Sequence, residues 1–224
     1  GFVPAIEDPI LMRRNRVPTI TVHADQTSGL ASELRERVRE RIEAIPLPPG
    51  YSMEWGGEHE DSTRAQAALA GTLPAFVLLM ALIVVMLFNS IRITFIIWLL
   101  VPFSMVGIVA GLLLFDQPFG FMALLGALSL SGMLIKNAIV LIEEINLRLA
   151  SGDRPWDAVI NASASRVRPV SMAALTTVFG LIPLIFDVFF GAMAVTIVSG
   201  LLFATALTLV AVPVLYALFF RVRP

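Results

Sequence analysis

Apolar and polar positions divide this chain unevenly. From Arg64 onward, charged residues thin out into isolated markers separated by long uncharged runs. No Asp, Glu, Lys or Arg occurs for 27 residues between Arg64 and Arg92, for 23 between Arg92 and Asp116, or for 19 between Asp116 and Lys136. Arg168 to Asp187 leaves 18, and Asp187 to Arg221 leaves 33. A membrane-crossing helix needs about 20 apolar residues. The pattern therefore predicts five transmembrane helices, near 72–88, 93–114, 119–145, 169–186 and 192–219. The third runs on as an amphipathic extension to about Arg148, and a long polar loop follows it.

Before Arg64 the periodicities are those of a water-exposed fold. Pro18-Thr-Ile-Thr-Val-His-Ala24 alternates, with Ile20, Val22 and Ala24 on one face, which reads as a half-buried strand. Leu30, Leu34, Val38, Ile42 and Ile45 recur at helical spacing among charged residues, an amphipathic helix with a solvated face. Pro46-Leu-Pro-Pro-Gly50 ends it, and Tyr51, Met53 and Trp55 alternate again as a second strand. The fold class expected is a membrane all-α bundle of five helices, residues 67–224, preceded by a small α/β piece, residues 1–66, with strand–helix–strand (βαβ) order at about 18–55. Two strands and one helix are too few for a stable sheet, and the chain begins at Gly1. Both features point to one part of a larger protein.

Composition sharpens this division. The chain is 57% hydrophobic and 15% charged, against about 25% charged in soluble domains. Residues 1–66 hold 8 Lys/Arg against 11 Asp/Glu, a net of −3; residues 67–224 hold 8 against 6, a net of +2. That near-neutral balance gives no footprint for a nucleic-acid partner. The absence of cysteine excludes disulfides and thiolate metal sites. Glu58-His-Glu-Asp61 reads as a polar helix start rather than a metal cluster, and His23 as a surface histidine. No nucleotide-binding or hydrolase motif is present, so no metal or other cofactor is expected. Seven arginines (Arg92, Arg148, Arg154, Arg166, Arg168, Arg221 and Arg223) fall on one side of the predicted spans, and none on the other. The positive-inside rule then puts the C-terminus in the cytoplasm and residues 1–66 outside. Gly107-Ile-Val-Ala-Gly111 is a small-xxx-small helix contact; Pro102, Pro183 and Pro213 read as tolerated kinks.

Lys136 is the candidate for chemistry. It stands within the apolar third span, where a charge costs about 2.5–3.5 kcal/mol on insertion scales. Ser129 and Glu143, seven residues to either side, share its face, and Glu143 is about 10 Å of helical rise away, too far to pair. The other acids of this half, Asp116, Glu144, Asp153, Asp157 and Asp187, lie at span ends or in loops. The expected partner is thus a carboxylate on another helix, outside this chain. Such a pair serves either as a proton relay, loosening when the acid is protonated, or as a static contact fixing helix register. On the next span Arg166, Ala173 and Thr177 fall roughly on one face. Arg166 reads either as a positive-inside arginine or as part of the relay.

Gly132-x-x-x-Lys136-Asn137-Ala138-Ile139-x-x-x-Glu143, followed by Arg166-Val-Arg168-Pro169 and Gly180-Leu-Ile-Pro183-Leu184, resembles the resistance-nodulation-division (RND) efflux transporters, nearest their hydrophobe/amphiphile multidrug branch. The resemblance covers essentially the whole chain. It implies the end of the second periplasmic loop, part of a porter domain, and the eighth to twelfth of twelve helices. It further implies a proton/drug antiporter of the bacterial inner membrane, a homotrimer working with a periplasmic adaptor protein and an outer-membrane channel on small-molecule substrates. By motif, Lys136 and Arg166 match the relay lysine and arginine, with Asn137 beside them. The aspartates they serve lie on a fourth helix in the missing N-terminal half. Many members carry a threonine where this chain has Ala173; Thr177, one turn on, is the candidate substitute. A lipid exporter or protein-export accessory of the same superfamily, an intramembrane enzyme and a non-transporting structural bundle are the competing readings. The spans hold no His, and their serines lack an evident base, which disfavours the enzyme.

Overall fold

A computed structural model of the chain describes residues 11–24, 31–187 and 189–222. It forms two compact units, residues 1–54 and 55–224.

In the first unit, β1 (Arg13–Arg14) and β2 (Val17–Pro18) pair antiparallel around Asn15 and Arg16. Both turn residues have positive φ, 52° and 70°, the geometry that lets a two-residue turn follow strand twist. Helix α1 (Ala31–Glu43) lies where its periodicity predicts, laced by ion pairs such as Arg39 to Glu43 at 3.0 Å. The two expected strands do not form. Of 18–24 only Pro18 is in a strand, and 51–55 has no regular structure. Ile20 and Val22 are 91% and 88% exposed. A strand is stabilised through its neighbours' hydrogen bonds and side chains, and among the described residues no strand pairs with 20–24 or with 51–55. The βαβ reading is therefore replaced here by a short hairpin and one helix.

The second unit is five helices, each long and apolar enough to cross a membrane: α2 (Glu58–Phe88), α3 (Ile91–Leu114), α4 (Phe121–Ala150), α5 (Pro155–Ile185) and α6 (Gly191–Phe220). Local chemistry sets their ends. Asn89 closes α2 in the left-handed region, and Ser90 accepts the Ile93 N–H to cap α3 at 3.4 Å. Asp187 Oδ1 accepts the N–H groups of Phe189 and Phe190 at 2.9 and 2.8 Å just before α6. One element departs from expectation: the loop predicted after Arg148, up to residue 168, is helical except for the turn 151–154. Gly152, at φ 95°, ends α4, and Pro155 begins α5 where its missing N–H costs nothing. Ala158, Val159 and Ala162 then bury one face of the added turns.

Helix α6 is the axis of the bundle. It packs on α3, α4 and α5, and its most apolar window is more than half buried, whereas α2 packs mainly on α3 and, among the described residues, buries Val84 alone. Glycines set the close approaches. A Cβ on Gly111 would overlap Ser199, one on Gly107 would overlap Phe203, and one on Gly200 would overlap Leu130 and sit 3.0 Å from Ile108. Between apolar helices in lipid, such surface fit replaces the hydrophobic drive available in water.

Candidate functional site

These contacts, with two polar ones, fix the relative depth of the side chains on α3, α4, α5 and α6. Gly126 meets Thr196, Leu130 meets Gly200, and Tyr216 Oη donates to Asn146 Oδ1 at 3.3 Å. Each partner on α6 is 70 residues beyond its partner on α4, so the two helices run parallel in constant register. Lys136 is then level with residue 206 of α6. Gly107 opposite Phe203 and Gly111 opposite Ser199 make α3 antiparallel to α6 and bring Ser104 to the same level. Arg166 opposite Glu144 places residues 173–174 of α5 there, with Thr177 within one turn.

This level separates two apolar clusters. One is built around Ile96, Ile97, Leu100, Ile135, Ala138, Ile142, Val212 and Tyr216. The other is built around Ile108, Leu130, Leu134, Ala174, Val178, Leu201 and Ala204. Between them lie Ser104, Lys136, Asn137, Thr205 and Thr208.

Along α4 the inward stripe is Ala123, Gly126, Leu130, Leu134, Ile135, Ala138, Leu141, Ile142 and Ile145. Ser129, Lys136 and Glu143 occupy the opposite face and are exposed in this chain; Asn137 is half-buried beside them. Lys136 has no hydrogen bond or ion pair among the described residues. The ammonium therefore looks out of the bundle at mid-helix, on a face that α3, α5 and α6 leave uncovered.

Arg166 is differently placed. Its Nη2 donates to Glu144 Oε2 at 2.7 Å, while Arg148 Nε donates to Glu144 Oε1 at 3.0 Å and Arg148 Nη1 lies 3.9 Å from Asp153. Glu144, taken from sequence as an isolated span-end acid, thus clamps two arginines and joins α4 to α5. Its i,i+4 spacing to Arg148 was a legible signal; its reach to Arg166 depends on the helical extension of α5. A guanidinium has five donors, so Arg166 keeps donors for a second anion. Glu144 and Arg166 side chains are 18% and 32% exposed, which places the pair between solvated and buried behaviour. A double-mutant cycle of Glu144→Gln with Arg166→Gln is expected to return a coupling of about 1 kcal/mol in detergent unfolding; a value near zero would mean a solvent-screened contact.

Thr177 Oγ1 donates to the Ala173 carbonyl at 3.0 Å and Thr176 to that of Met172 at 2.8 Å. Thr177 is half-buried and Ala173 exposed, and the Thr177 oxygen keeps its acceptor capacity. At the arginine-bearing end, Asn89, Ser90, Arg92 and Phe220 line one shallow groove, so the α2–α3 turn and the end of α6 lie together. Among the described residues no group of His, Asp and Glu gathers as metal ligands.

The model of the AcrB/AcrD/AcrF family matches residues 7–220. The chain is similar to the nickel-cobalt-cadmium resistance protein NccA of Alcaligenes xylosoxydans xylosoxydans, 36% identical over 182 residues, or 79% of this chain and 17% of that protein. It is also similar to the multidrug resistance protein MdtC of Pantoea ananatis, 28% identical over 198 residues, or 86% of this chain and 19% of that protein. A solved heavy metal efflux pump aligns with TM-score 0.65 at 33% identity, covering 85% of this chain and 19% of that one. The chain therefore spans about a sixth to a fifth of the length of these relatives.

Proposed function

Because the chain belongs to the AcrB/AcrD/AcrF family, we propose that its five helices are the C-terminal membrane portion of a proton-driven RND exporter. The observation that carries this reading is Lys136, a cation at mid-helix between two apolar clusters, aimed away from its own bundle. Its partner is an acidic pair on the fourth helix of the N-terminal half. Ionised acids hold the ammonium; protonated acids release it. A proton moving down 100 mV provides about 2.3 kcal/mol, enough to bias a helix rearrangement. Asn137 and Thr177 line the same level, and Arg166, tethered by Glu144, stands toward the arginine-bearing end. No enzymatic step is involved; the relatives' names are those of resistance and efflux proteins.

The whole protein works as a homotrimer in the bacterial inner membrane with a periplasmic adaptor and an outer-membrane channel. Residues 1–66 are periplasmic, the end of a porter domain, and the C-terminus is cytoplasmic. The grouping of Arg92, Arg148, Arg154 and Arg221 at one end of the bundle supports this orientation.

The cargo is hydrophobic or amphiphilic small molecules, a reading supported by the Lys136-Asn137 motif and by likeness to MdtC. A second reading, divalent transition-metal cations, is favoured by the higher identity to NccA and to the heavy metal pump. Family membership by itself does not choose the branch. The full-length transporter, expressed with its adaptor in an efflux-deficient host, is expected to raise tolerance to cationic dyes and bile salts. Tolerance to nickel, cobalt and cadmium alone would select the metal reading, and no gain with either set would reject export.

A further inference from the structure

Thr205 and Thr208 of α6 are unlike the other hydroxyls of their helix. Thr196 and Ser199 each donate to the carbonyl four residues back, at 2.8 and 2.7 Å. That is the ordinary way a hydroxyl is satisfied inside a membrane helix. Thr205 and Thr208 are as deeply placed, 7% and 1% exposed, yet neither hydroxyl has a partner among the described residues. They lie in the gap between the two apolar clusters, level with Lys136 on α4 and Ser104 on α3. A third polar group is close in sequence. Pro213 has no N–H, so the carbonyl of Leu209, four residues earlier, lacks its helical donor. Two unpaired hydroxyls and a freed carbonyl, all within residues 205–209, give the two to four polar partners that a buried water needs. In hydrocarbon no bulk solvent can satisfy them instead.

We propose that Thr205, Thr208 and the Leu209 carbonyl hold ordered water inside the bundle at the depth of Lys136, and that the two threonines are positioning residues for proton movement at that level. Water binding follows from these groups alone; the role in proton movement rests on the proton-coupled reading of Lys136.

The test uses the full-length transporter in proteoliposomes under an imposed pH gradient. T205V/T208V keeps side-chain volume and removes both hydroxyls; T205S/T208S keeps the hydroxyls and removes the methyls. Loss of these hydrogen bonds is expected to lower proton-coupled export about 10-fold in the valine pair, with the serine pair near the unmodified rate. Wild-type export by the valine pair overturns the positioning role, as does equal loss in both pairs, which marks packing alone. Water is read separately on the unmodified protein. Hydroxyl radicals generated from bound water by a pulsed X-ray beam should label Leu201 and Val212 well above the equally buried Ile96 and Ile142. Equal labelling overturns the water site even where the valine pair fails to assemble. Normal export by Lys136→Ala would instead refute the proton-coupled reading, leaving the labelling result to stand or fall by itself.

Discussion

Lys136→Ala in the full-length transporter is expected to abolish export while leaving its abundance and trimer intact. The two halves of that outcome have separate physical causes. Relay acids left without the ammonium can take up a proton and become neutral, so its removal leaves no buried charge to unseat α4. The inward stripe of α4, including Leu134, Ile135 and Ala138, is untouched by the change. Export fails because nothing else on this helix at that depth can hold and release a protonated partner. Glu143 is about 10 Å along the axis, and Glu144 is engaged by Arg148 and Arg166. Lys136→Arg sharpens the result: the charge remains, but a guanidinium neither gives up its proton nor offers a point ammonium, so export stays low. If the lysine were a static contact to a carboxylate that stays ionised, its loss would leave that charge buried and unpaired, and abundance would fall together with export. Immunoblotting beside a resistance assay separates the two, and retained resistance would remove the relay.

Gly111→Leu is expected to cost the bundle its fold, and Gly111→Ala to weaken it by about 2 kcal/mol. The position where a Cβ would go is already filled by the Oγ and Cβ of Ser199. These atoms are fixed to the α6 backbone, so a new methyl cannot be met by swinging a side-chain end aside; α3 and α6 must separate. Since α6 also carries the packing of α4 and α5, separation loosens all four helices. Gly180→Ala is the control, because no described residue lies within 4 Å of its Cβ position. Ser199→Gly combined with Gly111→Ala should recover most of the loss. Melting followed by tryptophan fluorescence or by size-exclusion recovery after heating measures all four; equal stability of Gly111→Ala and Gly180→Ala would contradict this packing.

What could be read in advance followed from one-dimensional rules. The five spans were legible because hydrocarbon tolerates so few charges that their spacing counts the crossings. The shared face of Ser129, Lys136 and Glu143 was legible because a helix repeats nearly every seven residues. Gly107 and Gly111 were legible as a contact, though not which helix they receive. The βαβ expectation went astray because alternation at Ile20 and Val22 or at Tyr51 and Met53 states only what a strand would need, while strand formation depends on a neighbour elsewhere. The loop expected after Arg148, up to residue 168, became mostly helix because its charges hid a buried face of Ala158, Val159 and Ala162 behind a proline suited to a helix start.

Sequence alone determined the number of crossings, the grouping of arginines to one side and the stranded lysine, since each depends on the cost of charge in an apolar medium and needs no knowledge of neighbours. The tertiary structure alone decided that α6 is the axis, that Glu144 joins Arg166 to Arg148, and that Thr205 and Thr208 share the level of Lys136. Those facts depend on which helices approach and in what register, and register is set by the fit of glycine notches such as Gly126, Gly111 and Gly200 against side chains far away in the chain.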